Sequence, residues 1–433
     1  MRRISPILVL SLVLAALAAC AAGTPAQAPT TVPTTTLTAA PTTAPTTVPT
    51  APPRATPDLA ALGTTVVAGL PPTLTPETAG DQAFLGIGTV ATFSLTSTIG
   101  SAPLAAVYST GFRAAEPPQN HFVAVYAAAP GGWRQLARID LENPDLLDET
   151  MVRQVSVTPD KIWIEVQGAA GAHSGCYDLL SFDGTALVEQ LGSCNSTFGS
   201  SRLEDLDGNG TPEALIDASD YYVYCYACGV VAWNTTVYRW DGSAFAEQKL
   251  SQLPADAPQA LRDRTDALNR LVLAERYKEA AQLADALVAD APGDPQVRWN
   301  ARLVHVVADA RAEQVGGKIY PLVEKLLYGD YPAALDVMRQ YTPQQLFDPS
   351  GPLFAEESVA SGWQFETTSR VTTTAELALA QEPTFAPALF LRAWAEQIAT
   401  PGAPSVIIDI ERAAALAPDE KLYSSSLAYL RRR

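Results

Sequence analysis

Between Phe84 and Phe245 apolar and β-favouring residues gather in short runs, and Gly, Pro, Asn and Asp separate the runs. In Lys161–Gly168 (KIWIEVQG), Ile162, Ile164 and Val166 share one face, with Trp163 and Glu165 on the other. Phe122–Ala128, Cys176–Gly184 and Thr235–Phe245 are further β-rich runs. Asp-Gly at 183–184 and at 241–242 stands between such runs as a hairpin turn. No stretch of helical period interrupts this region, so an all-β domain over 58–250 is predicted. After Pro254 the period changes. In Ala267–Pro292, Leu268, Leu271, Tyr277, Ala280, Leu283, Ala284 and Leu287 fall at three- and four-residue steps. A break near Glu275–Tyr277 divides that run into an antiparallel helix pair, and an all-α domain over 251–433 is predicted.

Neither pattern extends to the front of the chain. Arg2 and Arg3 precede the apolar run Ile4–Ala19, which ends in Leu-Ala-Ala-Cys at 17–20. A basic start, an apolar middle and small residues before a cleavage point predict an export signal rather than a membrane span. Leu17–Cys20 resembles the lipobox of bacterial lipoproteins. That resemblance implies cleavage before Cys20, its lipidation, and a membrane anchor contributing about 0.8 kcal/mol per buried methylene. Residues 21–57 are almost entirely Thr, Pro and Ala, with Arg54 the one charge. Such a segment buries too little surface to offset the entropy of ordering, so it is predicted to be an extended, unfolded stalk. At about 3.1 Å per residue it would reach on the order of 100 Å.

Charge and composition narrow the function classes. Across 433 residues the formal net charge is −17, which argues against nucleic acid as a partner and favours cations. The chain has three histidines, His121, His173 and His305, far apart in sequence, so a histidine-built catalytic or metal centre is not expected.

The acidity has one ordered focus, Glu204–Ser219 (EDLDGNGTPEALIDAS). Counting Asp205 as position 1, Asp207 and Asn209 stand at positions 3 and 5, Gly210 at 6, Thr211 at 7 and Glu213 at 9. Calcium takes six to eight hard oxygens, and acids at alternate residues of a tight turn gather them from one segment. A helical EF-hand loop would need glutamate at position 12, where Ile216 stands, and the residues from Glu213 onward read as a strand. Asp205–Glu213 (DLDGNGTPE) instead resembles the loop of FG-GAP repeats, the blades of integrin-type β-propellers. The resemblance implies calcium held by Asp205, Asp207, Asn209 and Glu213 side chains and the Thr211 carbonyl. Residues 84–200 contain no second copy. The expected β fold is therefore a partial propeller or a blade-like sandwich. A plain solvated turn is the competing reading, since Asp, Asn and Gly favour turns anyway.

Export permits disulfides, and after Cys20 four cysteines remain, with three possible pairings. Cys176 and Cys194 flank the Asp183–Gly184 turn. Cys225 and Cys228 would need a turn at Tyr226–Ala227, because residues three apart in a strand are about 10 Å distant. The favoured pairs are Cys176–Cys194 and Cys225–Cys228; a zinc site from all four, or a redox CxxC, is the alternative. Tyr221, Tyr222, Tyr224 and Tyr226 around this motif read as a packed sheet face or a ligand groove.

Tyr277, Ala280, Ala284, Leu287 and Pro292 resemble the second helix and closing proline of a tetratricopeptide repeat. Gly329–Tyr341 repeats the opening, and Pro383 to Pro418 spans 35 residues, one repeat. This resemblance implies a C-terminal all-α helical-repeat solenoid binding an unidentified protein or peptide partner. His305 reads as packed or surface helix. The expected whole is a surface-anchored, non-catalytic binding or scaffold lipoprotein. The rival is an exported hydrolase using Ser174 beside His173.

Overall fold

The computed structural model describes residues 58–70, 89–113, 120–171, 173–315, 320–355 and 362–432. Cys20 and the 21–57 segment lie outside these residues. The chain is β first and α afterwards, as the change of period predicts. Nine antiparallel strands form the first sheet: β1 (Thr89–Leu95), β2 (Leu104–Phe112), β3 (His121–Ala129), β4 (Gly132–Leu141), β5 (Leu146–Leu147), β6 (Val152–Val155), β7 (Ile162–Ala170), β8 (Ser174–Phe182) and β9 (Leu187–Ser196). Their order is β4-β3-β2-β5-β7-β8-β9, with β1 on β2 and β6 on β7, and the sheet curls into a half-barrel.

Alternation decides what each face buries. Ile162, Ile164 and Val166 join Val123, Val125, Leu180 and Phe182 in the inner core, while Trp163, Tyr177 and Leu179 form an outer cluster. Glu165 is buried on that outer face, where its carboxylate accepts hydrogen bonds from Arg153 and from the Tyr177 hydroxyl. One stretch of the outer face is covered by helix α1 (Leu59–Ala68), whose Leu62 packs on Ala105, Val107, Phe122 and Ala124. This helix falls inside the segment expected to be all-β. Apart from Leu59 and Leu62 its apolar residues are small or β-branched, so it carries little helical period, and the Asp58 side chain caps it by accepting from the Ala60 amide at 2.9 Å.

A second sheet covers the rest of that face. It is a four-stranded antiparallel meander of β10 (Arg202–Glu204), β11 (Glu213–Asp217), β12 (Thr235–Trp240) and β13 (Phe245–Glu247). Ala214 and Ile216 of β11 pack towards Trp163 and Leu179 of the half-barrel, whereas Leu215 packs with Val237 against Trp299 and Leu303. The meander is therefore a middle layer between half-barrel and helices.

The helices are α2 (Gln259–Leu273), α3 (Tyr277–Asp290), α4 (Pro295–Gln314), α5 (Pro321–Tyr328), α6 (Tyr331–Met338), the short α7 (Pro343–Leu346) and α8 (Pro352–Ala355), α9 (Gln364–Gln381), α10 (Ala386–Ala399), α11 (Pro404–Leu416) and α12 (Lys421–Leu430). Most pack on their sequence neighbours, and α9 also reaches back to α2 and α5. Tyr277, Ala280, Ala284 and Leu287 are all buried, the small alanines allowing close approach of α3 to its neighbours.

The segment between β11 and β12 is not a sheet face. Residues 218–234 leave the meander, and Val223, Tyr224, Cys228 and Val230 form a core with Tyr320, Val323 and Leu327 of the helical region. Tyr224 stacks on Tyr320 with ring centroids 4.3 Å apart, and its hydroxyl lies 2.9 Å from Thr367 Oγ1. Arg311 of α4 fastens the far end. Only 4% exposed, it donates from Nε to the Trp233 carbonyl (2.7 Å) and from Nη1 to the Leu327 carbonyl (2.6 Å) and Glu275 Oε2 (3.2 Å). Its guanidinium also lies 4.3 Å from the Tyr277 ring centroid. Glu275, in the α2–α3 turn, has φ +52°, the one positive φ outside glycine among the described residues.

Two predictions follow from this packing. Arg311→Met leaves two buried carbonyls without their donor and the part-exposed Glu275 without its cation; equilibrium urea unfolding should show a loss of about 1–3 kcal/mol. His305 of α4 lies 2.9 Å from Asp309 and 3.0 Å from Asp285 of α3. Burial opposes charging of its ring, but the Asp309 and Asp285 carboxylates outweigh it and raise the pKa above 6.5. The stability this pairing contributes is complete below about pH 6.5 and disappears as pH rises through the folded-state value. His305→Gln should flatten that fall, by less than about 1 kcal/mol because the partners are exposed, as read by thermal melts across pH.

Candidate metal centre

Strands β10 and β11 pair Arg202 with Leu215 and Glu204 with Glu213, so residues 205–212 close a hairpin loop. Gly208 and Gly210 sit at φ +72° and +88°, a conformation glycine adopts without strain, and this lets the loop coil upon itself. Asp205 caps the coil. Its Oδ2 accepts from the Gly210 amide (2.8 Å), and its Oδ1 accepts from the amides of Gly208 (2.8 Å) and Asn209 (3.1 Å). The Gly210 amide, with those of Asn209 and Gly208, holds the Asp205 carboxyl below the usual carboxylate range. Asn209 Oδ1 accepts from the Thr211 amide at 2.7 Å, and Glu213 Oε2 accepts from the Leu206 amide at 2.9 Å.

Carboxylate oxygens of Asp205, Asp207 and Glu213 all lie within 4.8 Å of one another, the one such acidic trio among the described residues. Asn209 and Thr211 occupy the same turn, with Asn209 Oδ1 directed at the backbone. Arg239, on β12, faces the trio. It donates from Nη2 to Asp207 (2.5 Å) and from Nε to Glu213 (2.8 Å), and Glu213 is only 1% exposed. The guanidinium also stacks on Trp299 of α4, 3.8 Å from the ring centroid. Three carboxylates against the Arg239 guanidinium, with Arg302 also acting on Asp205, leave the loop anionic.

The donor set suits a hard divalent cation: the groups are oxygens, three are carboxylates, and the loop brings them within the span of one ion. Asp205, Asp207 and Glu213 are the residues that could hold such an ion. Arg239 and Trp299 were not identified from sequence. The segment 218–234, which lies between β11 and β12, hides the pairing that sets Arg239 beside Glu213.

Both favoured cysteine pairs are disulfides. Cys176–Cys194 joins β8 to β9, and Cys225–Cys228 closes a 3-10 turn over Tyr226–Cys228. All four thiols are thereby used. His173 stacks on Tyr226 with centroids 4.3 Å apart, while Ser174 opens β8 opposite Ala170. Tyr222 is exposed.

Arg239→Met leaves buried Glu213 without its cation. Without calcium the variant should lose about 1–3 kcal/mol in thermal or urea unfolding, and millimolar calcium should recover more stability in it than in wild type. Compared with protein-family models, curated proteins and solved structures, the chain matches none, so the assignment of this centre rests on its own geometry.

Proposed function

We propose that the chain is an exported lipoprotein, anchored through Cys20, that works by binding rather than by catalysis. Calcium held by Asp205, Asp207, Asn209, Thr211 and Glu213 braces the β region, and the helical region offers its surface to a protein or peptide partner. One observation carries the reading: the acidic loop and its Arg239 stand where the meander meets α4, through Trp299. An ion there would act on the joint between the two regions. The two disulfides support an oxidising compartment. Among the described residues no helix is long and apolar enough to cross a membrane.

Calcium binding to the folded state alone stabilises by RT ln(1 + [Ca]/Kd), about 2.7 kcal/mol at a hundredfold excess over Kd. Differential scanning calorimetry should therefore show a higher melting temperature in calcium than in chelator, and Asp205→Asn/Asp207→Asn should shrink the difference by the share the loop contributes. Equal melting temperatures for wild type in millimolar calcium and in chelator would remove calcium from the reading. Turnover of an ester, glycoside or peptide substrate that is lost in Ser174→Ala would replace binding with hydrolysis.

A further inference from the structure

A second pair of acids lies away from the loop, on the half-barrel. In the β7–β8 register Asp178 stands opposite Val166, and so faces inward with Leu180 and Phe182. It is 2% exposed, and its Oδ2 has no hydrogen-bond partner. Across the next pairing it opposes Gly192 of β9, and Glu189 of the same strand folds back over that glycine. A Cβ at Gly192 would overlap the Glu189 carboxylate and stand 3.2 Å from Asp178 Oδ1, so the two acids converge on the space the missing side chain leaves. Among the described residues no ion pair joins either carboxylate.

Two carboxylates brought together in a partly dry site need a positive charge between them. A shared proton would satisfy one oxygen of Asp178 and leave the other orphaned. A cation bound through both oxygens would satisfy the pair. We propose that Asp178 and Glu189 bind a divalent cation at the inner edge of the half-barrel, calcium being one of the hard ions that an oxygen-only donor set suits. Glu189 is exposed, which gives the ion a route in, and water completes its coordination. With two protein carboxylates the affinity belongs to the range of extracellular modules, roughly 0.1–1 mM. The ion would staple edge strand β9 to β8 two residues from the Cys176–Cys194 bridge.

Flow dialysis of the full chain in calcium up to about 10 mM tests this. Asp178→Asn/Glu189→Gln should bind one calcium fewer per chain than wild type. Gly192→Ala, whose methyl displaces the Glu189 carboxylate while both acids remain in the chain, should lose the same ion. Asp205→Asn/Asp207→Asn should keep it, so failure of the 205–213 loop to bind lowers the wild-type count but not this difference. Should the double amide variant fail to fold by circular dichroism, Gly192→Ala decides alone. Undiminished binding in a folded variant overturns the proposal and leaves a pair that shares only a proton.

Discussion

Arg311 is the constraint on which the arrangement of the two regions depends. A guanidinium cannot shed its charge on burial, so every donor it carries inside must find an oxygen. It finds them on three separate pieces of chain: Trp233 from the β region, Leu327 at the end of α5, and Glu275 in the α2–α3 turn. Moving any one of these elements leaves a buried charge short of a partner. The left-handed backbone at Glu275 fits the same logic, since glutamate reaches that conformation only where surrounding contacts hold it. Tight packing continues nearby at Gly329, where a Cβ would stand 2.5 Å from the Arg276 Cα.

Arg239 extends this coupling to the acidic loop. Its charge is divided between two carboxylates, while its flat face rests on Trp299 of α4. A cation arriving at the loop would compete with Arg239 for Asp207 and Glu213 and so alter the contact with the helix. The meander makes this geometry possible because its β11 is buried on both faces, towards the half-barrel on one side and the helices on the other.

Much of the fold was legible because period speaks directly about burial. The alternation of Ile162, Ile164 and Val166 with Trp163 assigns each residue to the core it occupies. The buried set Tyr277, Ala280, Ala284 and Leu287 is likewise the helical stripe read from sequence. The acids of the loop come together because their spacing is local to one hairpin. What escaped notice is non-local or lacks a period. Helix α1 depends on a cap and on a sheet formed later in the chain. Arg239 meets Glu213 only through a register that residues 218–234 obscure. Asp178 shares the inward face of β8 with Leu180 and Phe182, where alternation predicts a hydrophobic residue and says nothing about an acid.

The disulfides show why residues 218–234 can serve as part of a core. This segment has little secondary structure of its own, so ordering it costs conformational entropy that strands and helices recover through regular hydrogen bonds. Cys225–Cys228 removes some of that cost in advance by closing a four-residue turn, worth about 2 kcal/mol on loop-closure grounds, against about 3 kcal/mol for the longer Cys176–Cys194 loop. The smaller figure has the wider consequence. Cys176–Cys194 reinforces strands that are already paired, whereas Cys225–Cys228 shapes the turn beside Tyr224, whose ring and hydroxyl reach Tyr320 and Thr367. Docking of the helices on the β region is thereby tied to an oxidising environment. In a reducing one the half-barrel would keep its ladder, and the joint between the regions would be the first part to loosen.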